Sequence, residues 1–391
     1  MTNEKRLADA VQAEEIVSLC QDLVRINSVN PPGDERRIAE FAAGILLKAG
    51  LEVEIIQHSR TRASILATLK GGGRVRPLLY NAHLDTVPLG AEKWDHEAFA
   101  AEISEGRIWG RGTADMKGGM AALIVAASMI AQSRLPLRGD LILAFTAGEE
   151  VDSLGATCIA AKSELGPAQA VMIPEPSGND VYVAEKGALW LEATTHGKTA
   201  HGAMPELGEN AVLMMVDFIG EMQKMKIPFE EHPLLGGFSI SVNTIQGGMK
   251  TNVVPDRCVI TVDMRTVPGQ RHEAIVGLVK DMIVGMGQRK PGFKASVKIV
   301  NDRLPVETSP DEPAVQGFLD IVGEVLGKRP VPKGVRYYTD ATALVPAFEA
   351  PMIICGPGDP KLAHQPNESV EIEKLVQSAK IYTMAAAKFL L

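Results

Sequence analysis

Two imidazoles and four carboxylates follow apolar runs: His83 after PLLYNA, Asp115 after the Gly110-Arg111-Gly112 turn, Glu149-Glu150 after LILAFTAG, Glu175 after VMIP and His364 after MIICGPGD. Two histidines and three or four carboxylates with no cysteine make an N/O donor set suited to zinc, cobalt or manganese. Two ions need about three protein ligands each, and one carboxylate can bridge them about 3.5–4 Å apart. The donor count fits two ions. Such a pair polarises a carbonyl and lowers the pKa of a bound water, so that hydroxide is available near neutral pH. A separate carboxylate must then accept that water's proton and pass it to a leaving amine. Adjacent Glu149 and Glu150 suit this split, because neighbouring side chains at a strand end point different ways. Asp85, two residues after His83, is placed to hold the other imidazole nitrogen and fix its tautomer. Taken alone, Asp115 also fits a helix N-cap, since it precedes an apolar helical stretch.

These residues span 281 positions, so the fold must gather them. Short Val/Ile/Leu-rich runs predict strands at 52–57, 64–69, 77–82, 140–146, 170–173 and 352–355, with the near-continuous apolarity of strands covered on both faces. Apolar positions Ile16, Leu19, Cys20, Leu23, Val24 and then Ile38, Phe41, Ala42, Ile45, Leu46 follow a helical period, and further helices are predicted at 116–132, 311–327 and 372–391. This predicts an α/β domain with a mostly parallel sheet flanked by helices. Sites in such sheets form outside the carboxyl ends of the strands, where all these candidates fall. Between about 186 and 302 the order changes to strand, helix, strand, strand, helix, strand, the ferredoxin-like α+β plan. The simplest organisation is therefore a catalytic domain of residues 1–185 and 303–391 with residues 186–302 inserted.

With 391 residues, 46% hydrophobic and 23% charged, the chain is long enough for two or three domains and ordinary in composition. A formal charge of -8 with no Lys/Arg cluster disfavours nucleic acid as a partner. Apolar runs such as Leu141–Phe145 fall far below the roughly 20 residues that cross a bilayer, and the N-terminus MTNEKRLADAVQAEE lacks a secretory or transit pattern. Four scattered cysteines, without C-x-x-C, indicate neither a thiolate zinc site nor a disulfide framework. The expectation is a reduced, cytoplasmic protein with no membrane partner.

Five ordered motifs carry a resemblance: His83-Leu84-Asp85-Thr86-Val87-Pro88, Gly110-Arg111-Gly112-Thr113-Ala114-Asp115-Met116-Lys117-Gly118-Gly119, Gly148-Glu149-Glu150, Glu175-Pro176 and Ala363-His364-Gln365-Pro366-Asn367-Glu368. Together they resemble the M20 metallopeptidase family, in its acetylornithine deacetylase and succinyl-diaminopimelate desuccinylase branch. The resemblance implies two zinc ions, with cobalt or manganese able to substitute. Asp115 would bridge them, His83 and Glu175 would complete one, Glu150 and His364 would complete the other, and Glu149 would be the general acid/base. The insert, with Gly197-Lys198-Thr199-Ala200-His201-Gly202 and Thr251-Asn252-Val253-Val254-Pro255, resembles the family's lid and dimerisation domain. By that resemblance His201 would reach the partner subunit's site in a homodimer and stabilise an oxyanion, Asn252 and Arg265 would contact substrate, and Thr339 would lie on a substrate-side loop.

The implied activity is removal of an acetyl- or succinyl-type group from an N-acyl amino acid. A dipeptidase or exopeptidase on the same metals is the alternative, since both cleave an amide. A non-catalytic binding protein that kept the fold would show eroded ligands, and none is eroded. His201 also fits a structural role at a turn, and Lys186 an exposed hinge. Gly197-Lys198-Thr199 looks like the end of a phosphate-binding loop, but Glu192 stands where that loop needs glycine. Met214, Met215, Met222 and Met225 read as core or interface filler.

Overall fold

The computed structural model describes residues 2–162 and 165–391. The chain divides into two compact units, one of Met1–Ala184, Glu307–Gly334 and Thr339–Leu391, the other of Glu185–Val306 with Val335–Tyr338. The second unit thus begins one residue before and ends four residues after the 186–302 expected from sequence, and takes in Val335–Tyr338.

The first unit opens with β1 (Glu52–Gln57), β2 (Ala63–Leu69), β3 (Leu78–His83), the short β4 (Glu102–Ser104) and β5 (Arg107–Trp109), β6 (Leu141–Thr146), β7 (Val171–Pro176) and β8 (Tyr182–Glu185). The second carries β9 (Gly187–His196), β10 (Ser239–Gly247), β11 (Arg257–Thr266) and β12 (Ala295–Arg303). Two short strands follow, β13 (Val306–Glu307) and β14 (Lys333–Val335), then β15 (Met352–Gly356) and β16 (Ser369–Glu371).

The main sheet runs β1-β2-β6-β3-β7-β15-β8. Its centre, β6-β3-β7-β15, is parallel, and every residue of these four strands is buried. Helices explain that burial: Gly118–Ser133 packs against Ile372–Leu390, and both touch β3. The parallel arrangement expected from sequence holds for this centre, while β1, β2 and β8 pair antiparallel and make the sheet mixed. The β1–β2 connection is a tight turn closed by His58 N–H to the Arg62 carbonyl, far too short for the crossover that a parallel pair needs. The helix expected over 116–132 is Gly118–Ser133, and every residue from Gly118 to Ser128 is buried inside the protein; with the turn before it, the stretch Thr113–Ser133 is apolar and long enough to cross a membrane.

In the second unit the sheet order is β10-β11-β9-β12, with helices Ala211–Lys224 and His272–Arg289 between strands in the ferredoxin-like sequence. Burial alternates along β11, the period-two signature of a sheet covered on one face. Its buried core includes Leu189, Leu191, Met215, Phe218, Met222, Ile260 and Val262. Thr266, His272 and Asp302 close one end: His272 Nε2 lies 2.8 Å from Thr266 Oγ1 and Nδ1 lies 2.5 Å from Asp302 Oδ1.

Candidate metal centre

His83 is the last residue of β3, and Glu175 sits near the end of the parallel neighbour β7. Strand ladders therefore fix both at one edge of the sheet. His83 Nδ1 is 2.9 Å from the Asp85 carbonyl oxygen, which only an Nδ1–H can serve, so Nε2 is the ring nitrogen turned to the carboxylates. That Nε2 lies 2.9 Å from Asp115 Oδ1 and 3.7 Å from Glu175 Oε1.

Asp115 comes from the distorted turn Thr113–Lys117, entered through Gly112 at φ 87 and followed by a cis Asp115–Met116 peptide. A Cβ on Gly112 would meet Thr86 Cγ2 at 2.7 Å, so this turn needs glycine for its backbone angle and for its close approach to the β3 loop. The helix proper starts at Gly118 with Lys117 at its cap, and Asp115 does not cap it. Its two carboxylate oxygens diverge instead: Oδ1 faces His83, and Oδ2 lies 3.3 Å from His364 Nε2. His364 Nε2 is also 3.1 Å from Glu150 Oε2.

Two groups of donors result, His83-Asp115-Glu175 and Asp115-Glu150-His364, each with its ligand atoms within 4.8 Å of one another. Tetrahedral ligands at zinc-like bond lengths stand about 3.4 Å apart. The observed spacings of 2.9–3.7 Å in the first group bracket that value, and those of 3.1–3.3 Å in the second fall just below it. The donor chemistry and the spacing therefore fit two divalent ions sharing Asp115.

Glu149 and Glu150 do not extend a strand. β6 stops at Thr146, and a turn follows in which the N–H groups of Val151, Asp152 and Ser153 converge on the Gly148 carbonyl. This turn separates the two side chains, Glu149 being buried at 8% exposure and Glu150 facing His364. The Asp85 carboxylate holds the turn: Oδ1 accepts the N–H groups of Gly148 at 3.0 Å and Glu149 at 3.2 Å, and Oδ2 accepts that of Glu150 at 3.3 Å and the Asn30 amide at 3.0 Å. The expected Asp85 carboxylate to His83 hydrogen bond is thus replaced by one from the backbone carbonyl, with Oδ1 lying 3.8 Å from Nδ1. The carboxylate is committed to backbone N–H groups, where a charged acceptor gains most.

Electrostatics follow from crowding. Burial pushes the Glu149 carboxyl well up, and neighbouring Glu175, Glu150 and Asp340 add to the shift. Glu175 is pushed well up by burial and by Asp115, and Glu150 up by the same causes. Although burial opposes its charged form, the Asp115 carboxyl is held low by hydrogen bonds to His364 and His83. His364 is pushed up to about 10 by Asp115 and Glu150. A divalent cation among such groups would favour their ligating forms.

The remaining candidates lie elsewhere. His201, Asn252 and Arg265 belong to the second unit. His201 is exposed, and its Nδ1 accepts the Ala203 N–H at 3.0 Å, which leaves the proton on Nε2. Asn252 is exposed, with its carbonyl accepting the Gly202 N–H. Arg265 pairs with Asp263 at 3.0 Å and lies 5.8 Å from the Tyr338 ring centroid. Thr339, in the first unit, is fully buried and accepts the Ala341 N–H at 3.1 Å. Lys186 is buried, with its ammonium on the Gly237 carbonyl, and is not an exposed hinge residue. Sequence reasoning missed Asn30, which had no motif beyond Asn-Pro-Pro-Gly, and Asp340, whose buried carboxylate accepts from Thr146 Oγ1 at 2.5 Å at the end of β6.

Comparison with known proteins agrees with this geometry. Residues 79–388 match the family described as Peptidase family M20/M25/M40. A probable succinyl-diaminopimelate desuccinylase of Staphylococcus epidermidis is 28% identical over 394 residues, covering 94% of this chain and 95% of the relative. An acetylornithine deacetylase of Myxococcus xanthus is 29% identical over 363 residues, covering 90% and 92%. Among solved structures, an M20 family metallo-carboxypeptidase of Sulfolobus solfataricus superposes with a TM-score of 0.81 at 18% identity, covering 96% of this chain and 99% of that one.

Proposed function

Because the chain belongs to peptidase family M20/M25/M40, we propose that it is a zinc-dependent amidohydrolase that removes an acetyl- or succinyl-type acyl group from an N-acyl amino acid. The observation that carries this reading is the divergence of the two Asp115 oxygens, one toward His83 and one toward His364, which makes one carboxylate common to two ligand groups. In the proposal His83, Asp115 and Glu175 hold one ion, and Asp115, Glu150 and His364 hold the other. Two such ions would polarise the scissile carbonyl and supply a water of lowered pKa.

The chain's own groups then do the proton work. Glu149, buried and with its carboxyl pushed up, accepts the proton of the attacking water and returns it to the leaving amine, a task suited to a carboxyl titrating nearer neutrality. Asp85 keeps Glu149 and Glu150 on one fixed turn. His201, with its proton on Nε2, offers a donor for the oxyanion, and Asn252, Arg265 and Thr339 are the proposed substrate contacts. The second unit serves as lid and dimerisation domain, so that each active site borrows the His201 of a second subunit. Four free cysteines support a reducing, cytoplasmic setting.

Acyl amino acids are favoured over peptides because the relatives named for desuccinylation and deacetylation reach 28–29% identity, against 18–22% for an aminopeptidase, a tripeptidase and the carboxypeptidase of known structure. The test pairs metal content with hydrolysis of N-acetyl and N-succinyl amino acids and of dipeptides. Two equivalents of zinc with release of acetate or succinate establish the reading. Cleavage of dipeptides alone replaces it with the peptidase alternative.

A further inference from the structure

Glu368 ends the motif that begins at Ala363. It is fully buried, and all its acceptor capacity is used on one turn. Oε1 accepts the N–H groups of Ala114 at 2.8 Å and Asp115 at 3.0 Å, and Oε2 accepts that of Gly112 at 3.0 Å and Arg111 Nη1 at 2.6 Å. Its own carbonyl accepts the Gly110 N–H at 2.8 Å, and the next residue, Ser369, pairs with Trp109 where β16 meets β5. This small sheet delivers the carboxylate to the inside of the turn that bears Asp115.

Arg111 extends the connection. Its guanidinium also donates to the Gln365 carbonyl at 3.2 Å, next to His364, and to the Pro88 carbonyl at 3.2 Å, in the loop that leaves β3. It lies 5.0 Å from the Trp94 ring centroid. The two ligand groups differ in what fixes them. His83 and Glu175 stand on strands of the main sheet, whereas His364 sits in a loop outside helix and strand, at φ 64 and half exposed.

We propose that Glu368 is a positioning residue that, through Arg111, locks the Asp115 turn to the His364 loop and thereby sets the affinity of the ion held by Asp115, Glu150 and His364. This rests on the two-ion reading above. Replacing Glu368 by Gln keeps one acceptor oxygen but puts an NH2 against two of the four donors, which are then unpaired in a dry site. Arg111→Lys keeps the charge and loses the fork that reaches three loops at once.

The test is a calorimetric titration of metal-stripped protein with zinc, repeated with cobalt and read by its visible absorption. It compares the wild type, Glu368→Gln, Arg111→Lys and a destabilised core control, Leu319→Ala. The expected result is two ions in the wild type, one of them weakened by about 10- to 100-fold in Glu368→Gln while the other is unchanged, and a smaller weakening of the same ion in Arg111→Lys. The cobalt spectrum should change only for the weakened ion. Unchanged affinity for both ions in a folded Glu368→Gln overturns the proposal, as does equal weakening of both, or the same selective loss in Leu319→Ala. Should Glu368→Gln not fold, Arg111→Lys decides on the same criteria. A wild type that binds fewer than two ions instead refutes the function proposed above, and that failure is visible before any variant is compared.

Discussion

Asp85 Oδ1 accepts the backbone N–H of Glu149 at 3.2 Å, so the residue proposed to shuttle the proton is held by a carboxylate 64 positions earlier in the chain. With Gly148, Glu150 and Asn30 as its other donors, the Asp85 side chain sets the path of the backbone while its carbonyl sets the tautomer of His83. Asp85→Ala should therefore lower stability by about 2–4 kcal/mol, because three N–H groups, two of them buried, lose a charged acceptor. The same variant should lower kcat more than it raises KM. Urea unfolding and steady-state kinetics check this, and a loss confined to KM would contradict it.

Glu149→Ala should cut turnover by at least about 10²–10⁴-fold, the usual worth of a positioned general base, while the protein still retains two ions. Elemental analysis beside kinetics separates this from a ligand role. Loss of metal together with loss of turnover would move Glu149 into the ligand set.

His364→Ala and Asp115→Ala should differ in stoichiometry. His364 belongs to one donor group and Asp115 to both, so the first variant should keep one tightly held ion and the second should keep neither tightly. Equilibrium dialysis with zinc gives the count.

Asp340, which is not itself among the donors, predicts a pH effect. Burial pushes its carboxyl from the ordinary range up to about 6. An acid raised in the folded state binds more protons there than in the unfolded chain, so its contribution is present below the unfolded pKa and is lost as pH rises toward 6. Asp340→Asn, which keeps an oxygen for Thr146, should raise the melting temperature relative to the wild type at pH 7.5, and the gain should vanish near pH 4. A gain independent of pH would show that the carboxylate is not the cause.

The proposal that each site borrows the His201 of a second subunit is testable by complementation. Glu149→Ala and His201→Ala should each be nearly inactive alone, while their co-expression should restore about a quarter of wild-type activity, since half of randomly paired dimers carry one intact site. No recovery in a verified heterodimer would place His201 in its own subunit's chemistry or outside it.

Much of this was legible in the residues. The apolar runs of β3, β6 and β15 mark core strands because burial on both faces leaves no room for polar residues, and the structure has them within a residue of the expected bounds, while the periodic positions around Ile16 and Ile38 fall on the buried faces of two helices. The short pieces were not legible. β4, β5 and β16, three residues each, are too brief to show a period, and they bring Glu368 beneath Asp115. Strand alternation at Glu149-Glu150 failed because Gly148, at φ 83, turns the chain first. The partner of the Asp85 carboxylate was hidden because backbone N–H groups carry no sequence signature.

β15 lies between β7 and β8 in the main sheet, although it follows both by more than 160 residues. Until Met352–Gly356 arrives, β7 presents a bare edge of unpaired backbone groups, the kind of edge that recruits foreign strands. A chain emerging from the ribosome therefore cannot close its main sheet until Met352–Gly356 has been made, and such distant pairing is intrinsically slow. The first unit is most exposed to aggregation during its own synthesis, and the same late strand that seals the sheet leads into the His364 loop. Closure of the main sheet and assembly of the His364 donor group thus wait on the same late strand.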